Sequence, residues 1–202
     1  MVGAPTGSRK ASRAERGRRI SLGRGVALAV ALAVIVVLGY GRAVANQFGP
    51  GGDEELYFPD NGTHTYCVDT GGNQSYRDAL TWARDHLDNH TDMSTTFSET
   101  CQTQTDVWFY AEYLGGCCLW GTWDCFTWNG AGECETGDMK LNRSALDGKG
   151  QDNKDKVACH EQGHSVGLGH DNGSTTTCMA QGIDGPPKVY NGHDKDHING
   201  KW

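Results

Sequence analysis

The sequence predicts an α+β fold, with strands early in the chain and a site-bearing helix late. Three observations carry that prediction. Residues 75–88 hold an amphipathic helical stripe, residues 106–113 form an aromatic, β-forming run, and a further helical segment at 155–167 follows long glycine-rich connections. The 202 residues suit one domain plus processing segments. Twenty-nine glycines argue for turns and loops over a helical bundle, while 37% hydrophobic content with six Trp supplies a core.

The elements follow in order. Residues 9–24 are arginine-rich, residues 26–40 (VALAVALAVIVVLGY) are unbroken apolar, and Ala43-Val44-Ala45 offers small residues where a signal peptidase reads. This order marks residues 1–45 as a secretory signal peptide. A 15-residue helix spans only about 22 Å of a hydrocarbon core roughly 30 Å thick. The alternative is an uncleaved N-terminal anchor with its basic end in the cytoplasm. Either way the remainder is expected outside the cytoplasm, secreted or held at the membrane solely through that segment. Arg18-Arg19 hints at twin-arginine export, though the residues after the pair fit poorly.

Residues 46–65 are polar, acidic and glycine-rich and read as a linker, leaving 66–202 as the folded domain. Ser75 is a good helix N-cap, and Tyr76, Ala79, Leu80, Ala83 and Leu87 then share one face. Residues 106–113 (DVWFYAEY) read as a strand. Residues 114–137, with four Cys and three Trp, suggest an excursion stapled by its own disulfides; 139–146 (MKLNRSAL) reads as a short edge strand and 194–202 as a terminal helix.

Charge narrows the partners. Residues 1–45 hold eight of the 18 Lys and Arg and one of the 25 acids, which leaves ten basic against 24 acidic residues, a formal −14. A domain this acidic repels phosphate backbones and anionic lipid, so nucleic acid is not expected as a partner. All eight cysteines follow residue 45, as disulfides formed in an oxidising compartment would require. Reduced core thiols or a cysteine zinc site are the alternatives, the latter weakened by the lack of any Cys-x-x-Cys pair.

Residues 160–170 read His-Glu-Gln-Gly-His-Ser-Val-Gly-Leu-Gly-His. At about 100° per residue, His160 and His164 lie one turn apart on one helix face, so both imidazoles reach one ion. Glu161 stands beside that ion without needing to ligate it. Gly167 permits a left-handed or sharply turned backbone, after which His170 can supply a third nitrogen. Three neutral nitrogens leave a fourth tetrahedral position for water, the arrangement of a catalytic zinc site. The pattern predicts peptide hydrolysis with Glu161 as the general base.

At this point the chain resembles the metzincin clan of zinc peptidases, whose long motif is H-E-x-x-H-x-x-G-x-x-H followed by a methionine-containing turn. Met179, nine residues beyond His170, stands about where matrixins carry that methionine. The resemblance implies a single α+β domain over residues 66–202, with a twisted mixed sheet, an active-site helix and a C-terminal helix. It also implies one catalytic Zn2+, a hydrophobic floor formed by Met179, and protein or peptide substrates laid along an edge strand. In size and in lacking a sizeable pro-domain the chain is similar to the small secreted bacterial snapalysin-type enzymes. Those carry Asp as third ligand, where this chain has His170. Tyr190 would reach the metal or the oxyanion, as a tyrosine does in some metzincins, or else pack internally. Asp194 falls near a position that buttresses the methionine turn.

With Met179 beneath the metal, a Cys159–Cys178 disulfide would tie floor to helix. Cys67–Cys101 is the next expected pair, leaving Cys117, Cys118, Cys125 and Cys134 to pair locally, although eight cysteines allow 105 connectivities. His193 and His197 form a second i, i+4 pair, suited to a second ion or to a solvated helix. So acidic a domain admits Ca2+, but no Asp-x-Asp-x-Asp loop is present. Five Asn-x-Ser/Thr sequons (Asn61, Asn73, Asn89, Asn142, Asn172) would matter in a glycosylating host. Trp108, Trp120, Trp123 and Trp128 suit either a binding surface or packing. The expectation is thus a monomeric, exported zinc endopeptidase; the alternative is a non-catalytic zinc-containing binding module that presents the tryptophan-rich region.

Overall fold

Parallel strands cannot be joined by tight turns, so a sheet built from them needs helical crossovers. The computed structural model describes residues 48, 56–70, 73–116, 118–171, 173–183 and 188–202, all within one unit spanning Ala43–Trp202. Its elements run β1 (Thr63–Thr70), α1 (Gln74–His90), β2 (Ser94–Ser98), β3 (Val107–Glu112), β4 (Gly121–Trp128), β5 (Cys134–Asn142), α2 (Arg143–Leu146), α3 (Gln151–Ser165) and α4 (Gly192–Lys201). The signal or anchor segment read at residues 1–45 lies outside the described residues. No helix among the described residues is long and apolar enough to cross a membrane.

The five strands form one mixed sheet in the order β2-β1-β3-β5-β4. The pairs β1–β2, β1–β3 and β3–β5 are parallel, and β4 joins β5 antiparallel. The α+β class is therefore as expected, but the edge is not where the sequence put it. Residues 139–142 lie in β5, between β3 and β4, and residues 143–146 turn into α2. Alternation in MKLN is compatible with an interior strand, because Met139 and Leu141 face the core at full burial. The free edge on that side belongs to β4, inside the cysteine- and tryptophan-rich excursion.

Helix α1 starts two residues earlier than an N-cap at Ser75 would place it. Asn73 is the N-cap and its side chain accepts from the Ser75 amide, so Ser75 sits inside the first turn. The stripe Tyr76, Ala79, Leu80, Ala83 and Leu87 is buried as predicted, joined by His86. Against it packs a core that includes Tyr66, Val107, Phe109, Met139, Leu141, Val157 and Ala158. The linker reading of 46–65 ends too late: β1 begins at Thr63, Leu56 is buried, and Pro59 bridges Cys134.

From Lys154 onward helix α3 has no solvent-exposed face. Every residue from Lys154 to Ser165 except His160 is buried, as befits a helix enclosed on several sides. Among the described residues three disulfides brace the fold: Cys67–Cys101, Cys125–Cys134 and Cys159–Cys178. They match the two expected long-range pairs and one local pair, and bonds of this kind persist in an oxidising environment. Cys117 lies outside the described residues.

Candidate metal centre and cleft

Helix α3 puts His160 and His164 one turn apart, then ends. Gly167 follows with φ of +90°, the left-handed region that glycine enters freely, and the Leu168 amide donates back to the Gly163 carbonyl at 2.9 Å. This sharp reversal returns His170 to the helix face. The Nε2 atoms of His164 and His170 lie 3.2 and 3.0 Å from His160 Nε2, and ligand atoms from all three rings fall within 4.8 Å of one another. Among the described residues no other group of three His, Cys, Asp or Glu side chains converges in this way.

The donor set fits a cation. His160 Nδ1 is 2.8 Å from the Cys178 carbonyl and His164 Nδ1 is 2.7 Å from the Leu168 carbonyl. A carbonyl only accepts, so each ring carries its hydrogen at Nδ1 and turns an Nε2 lone pair inward. Inward lone pairs about 3 Å apart repel one another unless a shared positive centre lies between them. The side-chain amide of Gln181 stands 3.2 Å from His170 Nδ1, an outer partner that sequence reading missed. Burial holds His160 down to about 3, with His164 adding to the effect. His164 is likewise lowered to about 4 by burial and then by His170. Both rings are therefore neutral and available for ligation at neutral pH.

Glu161 points to the same cavity and is only 5% exposed. Burial, followed by the nearby Asp124 carboxylate, pushes its acid up to about 8. A cation held by the neighbouring imidazoles would draw it back down, toward the ionised form that a base requires. Gly121 leaves the side chain room: a Cβ there would stand 2.7 Å from Glu161 Oε1. The cavity measures about 650 Å³ and is lined by the three histidines and Glu161, and by residues 119–124, which lead into and begin β4.

Met179 lies fully buried beneath helix α3, so close that a Cβ on Gly163 would overlap its Sδ. Its turn is held from two directions. The Cys159–Cys178 disulfide ties it to the helix. Thr177 Oγ1 accepts from the Met179 amide while donating to the buried carboxylate of Asp194 on α4. Asp194 also completes a capping box with Asn191.

Tyr190 is 1% exposed, and its hydroxyl donates to the Cys159 carbonyl at 3.0 Å and contacts Gln162 Oε1 at 3.3 Å. That commitment makes it an internal strut of α3, and it is absent from the cavity lining. Gln162 continues the strut by donating to Tyr66 OH at 2.7 Å. Of the four tryptophans considered for a surface, Trp120 and Trp123 pack against the core and line the cavity, whereas Trp128 is exposed. No protein-family model matches the chain, and no curated protein matches its sequence.

Proposed function

We propose that the chain is an exported zinc endopeptidase of metzincin type, hydrolysing peptide bonds of extracellular proteins. The observation that carries this reading is the convergence of three imidazole Nε2 atoms beside the buried Glu161 at the floor of a cleft rimmed by a sheet edge. The five-stranded mixed sheet, the site-bearing helix and the C-terminal helix agree with the fold that the motif resemblance implies. Three disulfides support an extracellular working place.

His160, His164 and His170 would hold the ion; zinc so bound acidifies water and polarises a carbonyl. The chain's residues supply the rest. An extended peptide pairs its backbone with β4 and lies across the cleft, which fixes the scissile carbonyl by main-chain hydrogen bonds and favours broad side-chain specificity. Glu161 takes the proton from the attacking water and returns it to the departing amine, so the carboxyl ends the cycle as it began. Its wall of Gly121 and its distance from bulk water keep it in place for both transfers.

The non-catalytic alternative, a zinc-stabilised module presenting tryptophans, leaves Glu161 without a role, since a purely structural site has no use for a base. Casein digestion with and without chelator tests the proposal. Glu161→Ala should retain stoichiometric zinc and lose cleavage by at least the hundredfold that a general base supplies. Undiminished cleavage in that variant would defeat the mechanism.

A further inference from the structure

We infer that helix α4 carries a second, weaker binding site for a divalent transition-metal ion, formed by His193 and His197. The two residues stand one turn apart on α4, and their Nε2 atoms approach to 3.1 Å. That separation falls between those within the candidate metal centre, 3.2 and 3.0 Å. It also lies close to the edge of a tetrahedron with metal–nitrogen bonds of about 2.0–2.1 Å, which is about 3.3 Å. A helical i, i+4 pair can spread its rings over a wide range, so two nitrogens already at this separation need little rearrangement to chelate one ion.

The pair is organised before any ion arrives. The His197 ring stacks on Phe48 with centroids 4.8 Å apart and planes 18° apart, which limits its rotamers. The Asn191–Asp194 capping box secures the turn that carries His193. His193 is exposed and His197 half-buried, so an ion reaches them from solvent and keeps water on its remaining positions. Two imidazoles and no thiolate suit Zn2+, Cu2+ or Ni2+ and exclude Mg2+ and Ca2+, which require oxygen ligands.

In the metal-free pair one Nε2–H donates to the other Nε2. Binding moves that hydrogen to Nδ1 of the same ring, so both rings ligate as neutral imidazoles and no net proton is released from them. The site shares no residue with the first one, yet α4 also carries Asp194, which holds Thr177 under the Met179 turn. Occupancy should therefore stiffen the support of that turn.

Equilibrium dialysis of the oxidised full domain against Zn2+, with Co2+ spectra as a second readout, provides the test. Wild-type protein should bind one ion tightly and another more weakly. His193→Gln and His197→Gln should each weaken the second ion by more than about a hundredfold, exceeding the roughly 10- to 100-fold loss of a mere outer partner, while leaving the first ion in place. His160→Gln/His164→Gln should do the reverse. A wild-type chain that stops at one ion, lost only through the His160/His164 changes, overturns the inference. So does a second ion indifferent to both α4 substitutions. If the only ion bound is lost through His193→Gln, the α4 site stands and the proposed catalytic centre falls.

Discussion

Two glycines and one glutamine set the geometry of the candidate centre at the level of single residues. Gly163 lets Met179 reach the underside of α3, and Gly163→Ala would thrust a methyl group into Met179 Sδ. The expected result is destabilisation of about 1–3 kcal/mol by overpacking, read from the denaturant midpoint at unchanged slope. Gly121 plays the same part for Glu161, with the Lys140 carbonyl 2.8 Å from the position of an added Cβ. Gln181→Leu removes the polar partner of His170 Nδ1, and zinc affinity in a chelator competition should fall about 10- to 100-fold. His160, Glu161, His164 and His170 were legible in the sequence because helical periodicity and one glycine dictate their convergence. Gln181 was not, since its contact with His170 depends on how the loop after Met179 folds back, which no local period encodes.

Elements behave less transparently than residues. Helix α1 announces itself by its stripe, whereas α3 is enclosed and shows no stripe; only the histidine spacing betrays it. Strand β4 was hidden because GTWDCFTW follows glycines and cysteines that signal loops, and its pairing with β5 is a tertiary outcome. Strand β1 was hidden because its first residues, with the buried His64 among them, fall in a segment whose composition reads as polar linker. The Cys159–Cys178 bond closes a loop with a sequence separation of 19. Replacing both residues with alanine should lower stability by roughly 3 kcal/mol on chain-entropy grounds, with zinc affinity reduced because the Cys178 carbonyl no longer sits firmly against His160 Nδ1. Thermal unfolding of the reduced and oxidised forms, each with and without zinc, measures both effects.

Across the whole molecule, stability should depend on pH through buried neutral histidines. Burial holds both His64 and His86 down to about 4, against an ordinary value of 6.5. Between those values the unfolded chain binds the proton and the folded chain does not. Their contribution is therefore complete above about pH 6.5 and lost as pH falls toward 4, at up to about 1.4 kcal/mol per pH unit for each ring. Urea midpoints of the metal-free protein should be level near neutrality and drop through that window, and His64→Gln should make the drop shallower. The disulfide that flanks His160 and Met179 has a wider implication. A newly made chain still bearing thiols at positions 159 and 178 keeps helix and turn together by packing alone, so its three-histidine cradle is slackest wherever glutathione abounds. On the proposed function, oxidation would then act as a maturation step that firms the centre only once the chain reaches an oxidising compartment.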